Sequence, residues 1–178
     1  MAIDKIQSES INLADTFAFT GTVTGAGGDN KPYFFTSKTS NQSINDDTVA
    51  KITFPASTFH SASNVFDHSN SKFTVATAGV YQLNAKATFF NTDRLHGIEL
   101  RIYKNGSEFS KNRFEDRQDD NQDLFRRFTL NDTTIVNASV NDYFEVYAYA
   151  NTESNDAWQI NGTSANHQTT FGAYKLIT

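Results

Sequence analysis

The sequence predicts an all-β sandwich, and three observations carry that prediction. Phe is the dominant large apolar residue, with 16 Phe and 7 Tyr in 178 residues. Leu is scarce while Thr, Ser and Asn abound, so helix formers are poorly represented and residues that suit a pleated surface are common. Apolar side chains also recur at period two. From Val80 to Phe90, Tyr81, Leu83, Ala85, Ala87 and Phe89 fall on one face, and Gln82, Asn84, Lys86 and Thr88 on the other. Finally, turn residues interrupt these runs at short intervals, as between the strands of a sandwich.

Residues 1–29 differ from the rest. Ile6, Ile11, Leu13, Phe17 and Phe19 are spread among Ser, Thr and Asp, and the segment ends in Gly25-Ala26-Gly27-Gly28-Asp29, a hinge composition. It is too apolar for a plain disordered tail and too short to build a core of its own. An anchor that docks on a partner is the first reading, and an extension packed on its own domain the second. Within 30–178, strands are expected near 33–38, 49–54, 72–75, 80–90, 97–104, 107–113, 124–140 with a turn or bulge inside, 143–150 and 168–177. Ile98, Leu100 and Ile102 alternate with Glu99, Arg101 and Tyr103. Lys104-Asn105-Gly106-Ser107 is a hairpin signal, because Asn-Gly tolerates the positive φ of a type I′ turn. In 143–150 the face holding Tyr143, Glu145, Tyr147 and Tyr149 is aromatic, and a strand covered on both faces points to a subunit interface.

Composition also excludes classes. Cys is absent, which removes disulfides and thiol chemistry. The net charge of −5 comes without a block of one sign, which argues against a nucleic-acid surface. No window reaches the length of a membrane span. The N-terminus lacks the basic and apolar regions of a secretory signal, so synthesis in the cytoplasm is expected, with export by another route, by lysis or on a particle.

The order of pieces resembles the globular-head domain of complement component 1q, which shares a jelly roll with tumour necrosis factor. Pro32-Tyr33-Phe34-Phe35-Thr36 resembles the opening aromatic strand of that family, and Phe66-Asp67 its aromatic-aspartate pair. Lys72 to Tyr81 (KFTVATAGVY) resembles its Phe-Thr strand, corner and Gly-Val-Tyr. Lys104-Asn105-Gly106 matches its hairpin, and Phe171 to Leu176 its final strand. Two departures leave the register open: Ala173 stands where the family has Gly, and Asn141-Asp142 where it has Gly-Asp. Asn tolerates the left-handed conformation that Gly would supply. The resemblance implies an antiparallel jelly-roll sandwich over 30–178 and a compact homotrimer with aromatic residues at its axis. Phe34, Tyr103, Tyr147, Tyr149 and Tyr174 are the expected interface residues. The polar loops and the short segment before the domain look most like the copies carried on bacteriophage fibres and capsids.

Two loops are candidates for contact with a partner. Lys111 to Arg127 interleaves Glu115, Asp116, Asp119, Asp120 and Asp123 with arginines. It reads as a solvated loop, as an ion-pair network at an interface, or as a calcium site at Asp119, Asp120 and Asp123, although it lacks EF-hand spacing. No other cofactor or metal is expected: His60, His68, His96 and His167 have no metal-ligand spacing. Trp158, in the polar run 151–168, is either an exposed contact for a sugar or protein, or a Trp folded onto its own sandwich edge.

No nucleophile elbow, phosphate loop or spaced carboxylate pair is present, so catalysis is not expected. The leading expectation is a noncatalytic trimeric structural protein of a phage virion: a capsid decoration, head fibre or tail fibre tip. Residues 1–29 would anchor it to capsid, portal or tail proteins, and the domain would stabilise the shell or bind a host surface glycan or protein. The alternative is a free bacterial lectin-like module with calcium-dependent recognition loops.

Overall fold

The computed structural model describes residues 30–61, 65–115 and 125–176. Among these the chain forms β1 (Tyr33–Ser37), β2 (Gln42–Ile44), β3 (Ala50–Lys51), β4 (Ala56–His60), β5 (Phe66–Asp67), β6 (Lys72–Thr74), β7 (Gly79–Phe90), β8 (Leu95–Lys104), β9 (Ser107–Glu115), β10 (Arg127–Ala138), β11 (Tyr143–Thr152), β12 (Trp158–Ile160) and β13 (Thr170–Lys175). They make two sheets of seven and six strands, in which every pairing is antiparallel. In sheet A, β7 carries β10 along one edge and β13, then β12 and β2, along the other, with β1 and β4 beyond β13. Sheet B runs β5-β6-β11-β8-β9, with β3 also on β11.

The inward faces follow from alternation. Tyr81, Leu83, Ala85, Ala87 and Phe89 of β7 meet Ile98, Leu100 and Ile102 of β8 and Phe144, Val146, Ala148 and Ala150 of β11 in one core. One part of this core is aromatic: Phe34 lies 4.8 Å from Phe66, 5.0 Å from Phe73 and 5.2 Å from Phe171 between ring centroids. Phe34 is therefore a core residue, 3% exposed, and not an outward aromatic. Tyr33-Phe34-Phe35 is aromatic on both faces, so alternation within the strand does not say which parity turns inward.

The family-like motifs are joints. Gly79 has φ +150, and Tyr81 two residues later donates its hydroxyl to the Thr77 carbonyl at 2.6 Å, closing the corner between β6 and β7. Asn105 (φ 53) and Gly106 (φ 80) form the β8–β9 hairpin with the two positive φ values of a type I′ turn. Asn141 takes φ 71, so Asn supplies the left-handed residue before β11. The register at β13 places Ala173 inward, 2% exposed, and Gly172 on the opposite face against the Phe35 ring.

Two elements differ from expectation. β10 carries no bulge and pairs with β7 residue for residue over its whole length; the long partner strand sets its path. Its inward Asp132 accepts a hydrogen bond from Ser110 at 3.0 Å, and burial pushes its carboxyl above the usual range. The run read as a strand over 49–54 forms a ladder only at Ala50–Lys51, Ile52 adds one N–H bond to the Val146 carbonyl at 2.8 Å, and Ile52 and Phe54 are fully buried.

Candidate interaction surfaces

The outward faces of the two sheets differ in chemistry. On sheet A, cross-strand register lines up Phe59, Phe35, Gly172, Asn84 and Thr133 in one row, and Tyr33, Tyr174, Gln82 and Ile135 in the next. Phe35 and Phe59 stack at 5.4 Å, and Tyr33 meets Phe59 edge-on at 6.3 Å. Together with Tyr174 and Asn84 they line an apolar groove of about 550 Å³. Phe59 is 56% exposed and Ile135 61%. The middle of the face is polar: the Asn84 oxygen accepts from Gln82 and Thr133, both at 3.1 Å, and Lys86 and Arg127 carry positive charge farther along the same face.

Sheet B holds ion pairs. Glu99 is gripped by Arg101, and Arg113 approaches its other oxygen at 3.4 Å. Arg101 also pairs with Glu108 at 3.1 Å, and Lys51 with Glu145 at 3.0 Å. Tyr103 and Tyr147 lie 4.2 Å apart between these pairs. Tyr149 donates to Asp47 at 2.5 Å, and that bond, helped by burial, pushes its hydroxyl up to about 12. The Tyr147 hydroxyl is raised by burial and by neighbouring Glu145.

The residues expected at one interface thus do not share a surface. Tyr103, Tyr147 and Tyr149 sit on sheet B, engaged by their own neighbours, Tyr174 sits on the outward face of sheet A, and Phe34 is inside. Trp158 is not an exposed contact. It is 0% exposed in β12, stacks on Phe89 at 5.5 Å and donates its indole N–H to the Asn45 carbonyl at 3.1 Å. The second reading, a Trp folded on its own sandwich, describes it. Glu115 ends β9 and pairs with Arg113 at 3.0 Å. Asp116, Asp119, Asp120 and Asp123 lie outside the described residues, as do Ile6, Ile11, Leu13, Phe17 and Phe19. Among the described residues no group of three or more His, Asp or Glu is placed to hold a metal ion.

The residues that sequence reading missed are Tyr33, Phe35 and Phe59. Parity could have found the first two, since fixing Phe34 inward turns both outward. Phe59 lies in a run without alternation and gave no such signal.

Two sheets with this pairing, packed on an aromatic core, define a tumour necrosis factor-like jelly roll. The fold is shared with the structure of murine APRIL at pH 5.0 (TM-score 0.57, 13% identity, covering 82% of this chain and 98% of that one). It is shared also with Eiger TNF from S. frugiperda (TM-score 0.55, 10% identity, covering 82% and 94%). No protein family model matches the chain. In sequence it is similar to the phage-like element PBSX protein XkdV of Bacillus subtilis (strain 168), 30% identical over 87 residues. That match takes in 48% of this chain and 13% of the other protein's length.

Proposed function

We propose that this chain is a noncatalytic structural protein of a phage particle, a homotrimeric jelly-roll knob held by residues 1–29 and displayed for shell stabilisation or host-surface contact. The observation that carries the reading is the division of the two faces: one with an apolar aromatic groove across β1, β4 and β13, the other laced with ion pairs. Cores of protein interfaces are depleted in charge and enriched in aromatic residues, whereas charged faces remain in water. The face around Phe35, Phe59 and Tyr174 therefore packs against a second copy of the chain, and sheet B faces solvent. The similarity to a protein of a phage-like element supports the setting, and the tumour necrosis factor-like fold supports a compact assembly without a catalytic cleft.

The role of residues 1–29 is tested on particles. Deleting them should leave a folded trimer that no longer enters the particle. Incorporation at the level of the full chain would remove the anchor from the proposal.

A further inference from the structure

The outward face of sheet B has a depression at Gly97. This residue lies inside β8, paired with Asn151 of β11 on one side and Glu115 of β9 on the other. Its φ is not in the left-handed region, and among the described residues a Cβ added there meets nothing within 4 Å. Neither backbone conformation nor packing among the described residues requires glycine. A glycine inside a strand weakens it and marks places where another molecule comes close to the backbone. The missing side chain opens a pocket of about 290 Å³, walled by Asn151 and Glu115 and by Tyr149 and Arg113 in the adjacent row.

A second irregularity converges on the same spot. The β8–β11 register jumps from Asn151↔Gly97 to Thr152↔Leu95, leaving His96 as the extra residue of a bulge. Bulges re-aim side chains, and His96 lines this pocket.

We propose that the Gly97 depression is a saccharide site that takes one neutral pyranose ring. Tyr149 supplies the platform. Its hydroxyl is committed to Asp47 at 2.5 Å, and the Arg101 guanidinium lies 5.9 Å from the ring centroid. A ring held in this way offers an apolar surface suited to the C–H face of a sugar. Asn151 supplies orientation: its amide carries a donor and an acceptor side by side, the pattern that two vicinal hydroxyls complement. Neither that amide nor the His96 ring has a hydrogen-bond partner among the described residues. Charge decides against an anionic ligand. Arg113 pairs with Glu115 at 3.0 Å and reaches Glu99 at 3.4 Å, and Arg101 holds Glu99 and Glu108. Both guanidiniums are committed to carboxylates of the protomer, and neither is left to hold an anion. Its volume lies at the lower end of small-molecule sites, as one ring requires.

This inference rests on sheet B being the solvent-facing side of the proposed knob, and it names what that side contacts. It is tested on the purified full-length chain by saturation-transfer NMR. The probes are methyl glucopyranoside, methyl galactopyranoside and N-acetylglucosamine, each with and without EDTA. At least one should bind at millimolar concentration, equally in EDTA. Gly97→Val, which fills the depression with a β-favouring side chain, should weaken binding at least tenfold while the melting temperature holds or rises. Asn151→Ala, a smaller change, should weaken it as well. Absence of transfer from all three probes, unchanged affinity in either variant, or binding that needs calcium would overturn the proposal. Because the measurement is made off the particle, a negative result leaves the structural role standing, and full incorporation of the chain lacking residues 1–29 leaves the sugar site standing.

Discussion

Lys38 carries its ammonium into the protomer, where it donates to the Thr53 carbonyl at 2.9 Å and the Thr53 hydroxyl at 3.0 Å. Burial lowers its pKa to about 8. Below that pH both folded and unfolded chains hold the proton, and burying the charge opposes folding. Between about 8 and the ordinary lysine value of ~10.4, the unfolded chain binds more protons, so this group makes stability rise with pH. Lys38→Met should therefore raise the urea midpoint at pH 7 and flatten the alkaline rise; a lower midpoint at pH 7 would refute the account. The exposed Thr53 groups left behind can bond to water. Trp158 makes the opposite case. Replacing this fully buried indole with Ala loses its stacking on Phe89 and leaves a cavity, at a cost of about 3–5 kcal/mol. Equilibrium denaturation measures this, and a loss below about 1 kcal/mol would mean that the site collapses around the smaller residue. The sequence exposed the residue but not its fate, because Ile44, Asn45 and Phe89, which enclose it, come from distant parts of the chain.

At the scale of elements, the β8–β9 hairpin and the turn before β11 are locked together by Asp142. Its carboxylate accepts from Lys104 at 2.8 Å, from the Asn105 amide at 2.8 Å and from the Ser139 N–H at 2.9 Å. These bonds, that to Lys104 foremost, hold its pKa down to about 2. The contribution is present above the unfolded aspartate value of ~3.9 and is lost as pH falls from there through about 2. Asp142→Asn should weaken the pH dependence of the melting temperature between pH 4 and 2, and an unchanged slope would show that the lock carries no stability. Elements with a strong local signal were legible: the alternation of β7, β8 and β11 and the Asn-Gly turn give strands and hairpin where the structure has them. β2, β4 and β12 were not, because short strands without alternation are made by their neighbours. Gln42–Ile44 pairs only because Trp158–Ile160 lies beside it, and β10 runs unbroken because β7 does.

For the whole molecule, the contrast between the apolar groove of sheet A and the ion-paired face of sheet B sets the expected assembly. Light scattering of the purified chain should give a trimer. Phe59→Glu, at the exposed apolar face of sheet A, should shift it toward monomer, whereas Tyr147→Ala on sheet B should not. The reverse result would move the interface to sheet B and cover the Gly97 depression.

Composition, period-two patterning and turn chemistry by themselves determined that this chain is an antiparallel β sandwich, and the motifs from Lys72 to Tyr81 and at Asn105-Gly106 pointed to the jelly roll. Those signals act within a few residues of chain and survive without knowledge of partners. Only the tertiary structure decided which side of an aromatic strand faces in, as with Phe34 against Tyr33 and Phe35. It alone placed Trp158 in the core, Tyr174 apart from Tyr103, and the Gly97 gap between Asn151 and Glu115. Each of these depends on strands far apart in sequence lying side by side, and register across a sheet is set by packing rather than by any one segment.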